Sequence, residues 1–115
     1  MHSETLKATD DYSAARATAP RVSLADMERK IERELYFTAG EAEAALYQTA
    51  SNNNPLDLLT ICILVMQNGS TIIGKSAPAS PENFDPEKGK RFAYEDAIKQ
   101  LWPLEGYALR ERLSA

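Results

Sequence analysis

LLTICILVMQNGSTIIGKS, residues 58–76, is the stretch on which the fold turns. From Leu58 to Met66 the chain is apolar at nearly every position, the signature of a strand. Asn68-Gly69 follows, and Ser70 to Ser76 returns. Asn-Gly favours the two positive φ angles of a type I′ turn, whose twist suits a tight hairpin. A first strand that is apolar on both sides has to be covered on both sides, by helices or by another copy of the chain. A homo-oligomer is therefore expected.

C-terminal to the hairpin, APASPENFD (residues 77–85) is a loop with two prolines. Asp85 is placed to cap a helix that carries Pro86 at its first position. Phe92, Ala93, Ala97, Ile98 and Leu101 are its expected core stripe. Gly89 within it costs about 1 kcal/mol relative to Ala. Either a backbone or ligand approaches closely there, or an exposed glycine is tolerated. Trp102-Pro103 breaks or kinks the helix, and Leu104 to Leu113 continues as a last helical segment.

N-terminal to the hairpin, Ser23 caps a helix in which Leu24, Met27, Ile31 and Leu35 fall on one face. Tyr36 and Phe37 follow it. Residues 40–50 form a weaker helix, ended by a polar loop at 51–55. Residues 1–21 are polar and without periodicity, which predicts a disordered tail. The expected organisation is thus a tail over 1–21 and one α+β domain over 22–115, an antiparallel β-hairpin packed with an N-terminal helix and a kinked C-terminal helix.

The chain has 115 residues, 43% hydrophobic and 26% charged, with a net charge of −4. That supports one domain and gives no basic excess for a duplex nucleic acid backbone. The first twenty residues contain no apolar run, so no signal peptide is expected. No stretch is long enough to span a membrane. With Cys62 as the one cysteine, no internal disulfide can form. A cytoplasmic protein, in the host cell, is expected.

Catalytic chemistry finds no foothold. His2 is the single histidine and lies in the expected tail. Cys62 sits inside an apolar strand, where an inert thiol is expected. No zinc-ligand spacing and no phosphate-loop motif occurs. Neither enzyme activity, nor a cofactor, nor a metal is expected. Binding chemistry is better represented. Ser80 to Asp85 leads into a helix N-terminus whose free N–H groups can hold an anion. Asn83 offers both donor and acceptor, and Phe84 offers a flat face to a base. Arg91 follows within two turns. Arg110 and Arg112 can reach phosphate from elsewhere in the fold or from another protomer. The alternative is a capped turn with Phe84 tucked into the core.

Several segments in order resemble a family of small tailed-phage proteins labelled gp-forty-nine/gp-sixty-six. They include Tyr36-Phe37, Leu59 to Leu64, Asn68-Gly69, Gly74 to Ala77, Ser80 to Asp85, Gly89-Lys90, Ile98 to Tyr107 and Leu109 to Leu113. SPENFD and WPLEGY together carry most of the specificity, and the match spans residues 23–113. The layout of hairpin, Asn-Phe loop and Arg-bearing last helix is also similar to the first class of Thoeris anti-defence proteins. That similarity implies an oligomeric sponge holding a cyclic nucleotide signal between protomers, a cyclic ADP-ribose isomer or a cyclic oligonucleotide. The chain departs from it by an insert at about residues 39–57. The other function considered is a phage early protein that binds and inhibits a host protein.

Overall fold

The computed structural model describes residues 1, 3–17, 19–48 and 53–115. Its elements in chain order are α1 (Glu4–Arg16), α2 (Leu24–Arg29), β1 (Ile31–Thr38) and α3 (Ala39–Tyr47). A 3-10 turn (Pro55–Leu58), β2 (Thr60–Met66), β3 (Thr71–Ser76), a second 3-10 turn (Pro81–Asn83) and α4 (Pro86–Ser114) complete them. The strands form an antiparallel sheet in the order β1-β2-β3. The α+β class stands, with one more strand than the hairpin required.

That extra strand corrects the first helix. Ser23 does cap it, accepting a bond from the Asp26 amide at 3.0 Å. The helix stops at Arg29, however, and Ile31 and Leu35 lie in β1. Leu24, Met27, Ile31 and Leu35 fit a helical face, but sheet pairing overrides it: β1 finds backbone partners along β2, from Ile31 opposite Met66 to Thr38 opposite Thr60, with a bulge between Ile31 and Arg33. The β2–β3 turn is likewise different from the expected type I′. Gly69 has φ 88°, but Asn68 is not among the residues with positive φ. The Met66 carbonyl accepts from Gly69, and the Met66 amide donates to Ser70. This is a three-residue loop with glycine in the left-handed position, the next commonest hairpin closure.

One face of the sheet carries the core. Along β2, Thr60, Cys62, Leu64 and Met66 are buried, while the alternate residues are half-buried. α4 lies on the buried face through Ala93, Tyr94, Ala97, Ile98 and Leu101. Burying a Leu or Ile side chain contributes about 1.5–3 kcal/mol, so this stripe dominates the packing. Tyr94 occupies the place expected of Phe92, which is 47% exposed. The stripe 93, 94, 97, 98, 101 turns residue 92 to the flank of the helix. The Tyr94 hydroxyl donates to Glu28 at 2.5 Å and ties α4 to α2. α4 is one element to Ser114 with Pro103 inside it, so the proline removes one amide donor without ending the helix.

Residues expected as a disordered tail include α1 instead. Ser3 caps it and donates to Glu95 of α4 at 2.6 Å, and Leu6 is buried in the core cluster. A single apolar anchor and a cap leave no periodic stripe for sequence reading to detect. His2 lies outside the described residues. The insert forms α3, opened by a capping box of Thr38 and Glu41, and Asn54 bonds Glu43 across to the first 3-10 turn. The expected helix end at 49–50 and loop residues 51–52 lie outside the described residues.

β3 meets α4 at Gly74. A Cβ there would stand 2.1 Å from the Ala93 carbonyl oxygen and 2.6 Å from the Ala97 nitrogen. Beside it the Lys75 amide donates to Asp96 at 2.9 Å, and Gln100 donates to the Ile73 carbonyl at 2.7 Å. Gly89 is a second close approach, 2.6 Å from Thr60 Oγ1 for the same added atom, which resolves its presence in the helix. Strand propensity alone favours Ala over Gly by roughly 0.5–1 kcal/mol. The contact reverses that sign. Gly74→Ala is expected to destabilise by at least about 1–3 kcal/mol, the cost of overpacking, and to lower the melting temperature by roughly 4–8 °C per kcal/mol. A variant melting at or above the parent would contradict this packing.

Candidate functional site

The loop after β3 and the first turns of α4 enclose a pocket of about 170 Å³. Its apolar walls come from Pro78, Phe84 and Phe92, and its polar groups from Ser76, Asn83, Asp85 and Lys88. The second 3-10 turn places Asn83, whose amide nitrogen bonds the Ser80 carbonyl at 3.0 Å. Asn83 is exposed, and Phe84 is half-buried rather than sunk in the core. Asp85 then starts α4 as its N-cap.

This cap changes the chemistry expected at the helix end. Asp85 Oδ1 accepts from Glu87 N at 3.0 Å and Lys88 N at 3.3 Å, and the Asp85 carbonyl accepts from Gly89 N at 2.8 Å. Pro86 has no amide hydrogen. The first-turn donors are therefore taken by the protein's own carboxylate and carbonyl, and a second anion there would meet a negative charge. Any anion held at this pocket has to use Lys88 or a cation from outside it.

The five candidate residues do not converge within one chain. Asn83 and Phe84 line the pocket. Arg91 is beside it, its guanidinium carbon 5.2 Å from the Phe92 ring centroid. Arg110 lies 22 residues beyond Lys88 on the same helix, roughly 33 Å at about 1.5 Å per residue. Arg112 lines a separate cleft with Arg21, Arg29, Lys30 and Glu105. There Lys30 pairs with Glu105 at 2.5 Å and Arg21 with Asp10 at 2.8 Å. Phe92 and Lys88 are the site residues that sequence reading missed. Phe92 was absorbed into a core stripe by its spacing. Lys88, one turn past the cap, carried a signal that could have found it.

Cys62 lies under the sheet with no exposure. Burial pushes its thiol up to about 11 from an ordinary 9.0. Burial also raises the Tyr36 and Tyr94 hydroxyls, each further held protonated by a carboxylate, Glu34 and Glu28. Among the described residues no group of His, Cys, Asp and Glu is placed to hold a metal ion. No helix among them is long and apolar enough to cross a membrane.

Residues 22–113 match the family described as "Phage protein (N4 Gp49/phage Sf6 gene 66) family". No curated protein and no solved structure matches the chain.

The raised thiol and hydroxyls set a pH dependence. The folded chain keeps these protons where the unfolded chain has lost them, so unfolding is favoured as pH rises. The stability they contribute is full below about pH 9 and falls towards pH 11. Melting temperature is expected to drop from pH 8 to pH 10.5, and a thiol reagent at pH 8 should label Cys62 only on unfolding. Rapid labelling of the native protein would contradict the placement.

Proposed function

The chain belongs to this family of phage proteins, and we propose that it is a binding protein that captures a nucleotide signal without turnover. The ligand class is a cyclic ADP-ribose isomer or a cyclic oligonucleotide, and the action is to counter a host defence that uses such a signal in the cytoplasm. One observation carries the reading: Phe84, Phe92, Asn83 and Lys88 surround one opening, two flat rings beside an amide and a cation. A base can stack on a phenyl face, the amide can read its edge, and the ammonium can meet a phosphate. Capture of this kind needs complementarity alone and asks for no nucleophile.

Size decides how much of the ligand one chain can hold. Small-molecule sites usually measure about 300–1,000 Å³, and this pocket has about 170 Å³. It accommodates a base, not a whole cyclic nucleotide. The remaining contacts would come from a second copy, which is also where Arg110 and Arg112 would contribute. A second reading, a phage protein that binds and inhibits a host protein, is favoured by Leu46 and Tyr47. Both stand on the end of α3, 74% and 72% exposed.

A melting screen with these nucleotides separates the two. A ligand at 100 times its dissociation constant adds about 2.7 kcal/mol, a shift of roughly 10 °C or more for a domain of this size. Phe84→Ala is expected to weaken binding by about 1–3 kcal/mol, one base–aromatic stack, while the free protein melts within a few degrees of the parent. Lys88→Ala should weaken it too, less so as salt rises. No shift with any nucleotide, together with a large loss of melting temperature in Phe84→Ala, would make Phe84 a packing residue and end this reading.

A further inference from the structure

Between the β2–β3 turn and the C-terminal half of α4 runs a groove that shares no residue with the pocket at Phe84. One part of it measures about 510 Å³ and is lined by Met66, Ile72, Leu101 and Leu104. The first three belong to the core, while Leu104 is 57% exposed. The turn adds Asn68 and Ser70 to the wall. Asn68 Oδ1 accepts from the Ser70 amide at 2.9 Å, and the Asn68 side-chain nitrogen and Ser70 hydroxyl have no hydrogen-bond partner among the described residues. Lys30, Gln67 and Glu105 also line the cleft of about 460 Å³ that holds Arg112, so the two parts adjoin. In that cleft Arg21 is paired with Asp10, Arg29 with Asp26 and Lys30 with Glu105. Arg112 has no carboxylate partner among the described residues. Four cations against three carboxylates leave one positive charge there, in a chain whose net charge is −4.

We propose that this groove binds an extended segment of a partner protein, one that places an apolar side chain against Leu104 and an acidic side chain on Arg112. The charge left over at Arg112 calls for a carboxylate, and the apolar part calls for a side chain that covers Leu104. The free amide and hydroxyl of the turn suit an extended backbone, which has groups left to bond, whereas a helix has satisfied its own. Spacing sets the motif. Leu104 and Arg112 lie eight residues apart on α4, roughly 12 Å at about 1.5 Å per residue. An extended chain covers that distance in about three or four residues. A small anion would leave the apolar part unused. A nucleic acid backbone would meet Asp26 and Glu105 in the cleft wall. The groove and the Phe84 pocket are separate, so the inference stands whether or not a nucleotide binds. With Arg112 engaged here, Arg110 is the cation left for a nucleotide on a neighbouring copy.

Selection of displayed random peptides on the immobilised full chain is the test, followed by titration of the peptides it enriches. The enriched peptides should carry Asp or Glu three or four residues from a bulky apolar residue. Leu104→Glu and Arg112→Glu, both at exposed positions, should melt like the parent and each weaken a selected peptide at least about tenfold. A second selection on the Arg112→Glu protein should put Lys or Arg where the acid stood, a gain that misfolding cannot produce. No enrichment on the parent, a selected peptide that binds both variants as tightly as the parent, or an acidic preference that persists on Arg112→Glu would each overturn the proposal. Displacement of the peptide by an equal concentration of inorganic phosphate would overturn it too, and would make Arg112 a site for a small anion.

Discussion

Where β3 passes under α4 there is no room for a side chain. Gly74 brings the strand backbone against Ala93 and Ala97, and no other residue allows that separation. The close seat puts Asp96 and Gln100 in reach of the strand edge, where they bond the Lys75 amide and the Ile73 carbonyl. It also sets the height at which Tyr94, Ile98 and Leu101 enter the core. Helix and sheet are thus locked by backbone proximity and by two polar clamps, with the apolar stripe filling the space between.

That seat has consequences at both ends of the molecule. At the start of α4, Gly89 passes over Thr60, and the loop from β3 has only residues 77–85 in which to reach the helix. The 3-10 turn and the Asp85 cap take up this short path, and the pocket between Phe84 and Phe92 is the space left under it. At the other end, α4 continues past the sheet, carrying Arg110 and Arg112 away from that pocket. α4 covers one face of the sheet, and on the other face Leu35 and Ile73 stay exposed.

The hairpin and α4 were legible in the sequence because each carries its own local signal. An apolar run, an Asn-Gly turn, and an Asp-Pro start followed by a stripe do not depend on distant residues. β1 was not legible. Ile31 and Leu35 continue the helical face of Leu24 and Met27, and only pairing with β2, with a bulge after Ile31, makes this segment a strand. α1 was missed because it is held by Leu6 and by the Ser3–Glu95 bond, a contact between residues 92 apart. Of the candidate residues, that Asn83 and Phe84 share a pocket was legible from the loop into which they fall. The spread of Arg110 and Arg112 was not, since whether Pro103 ends the helix depends on packing beyond the local sequence.

The central claim is the backbone contact between Gly74 and the Ala93–Ala97 turn of α4. Nuclear Overhauser contacts measure it directly in solution. The account predicts cross-peaks from the Gly74 α-protons to the Ala97 methyl group, and a Lys75 amide strongly protected from exchange by its bond to Asp96. Absence of those cross-peaks, with a Lys75 amide exchanging as freely as an exposed one, would contradict it.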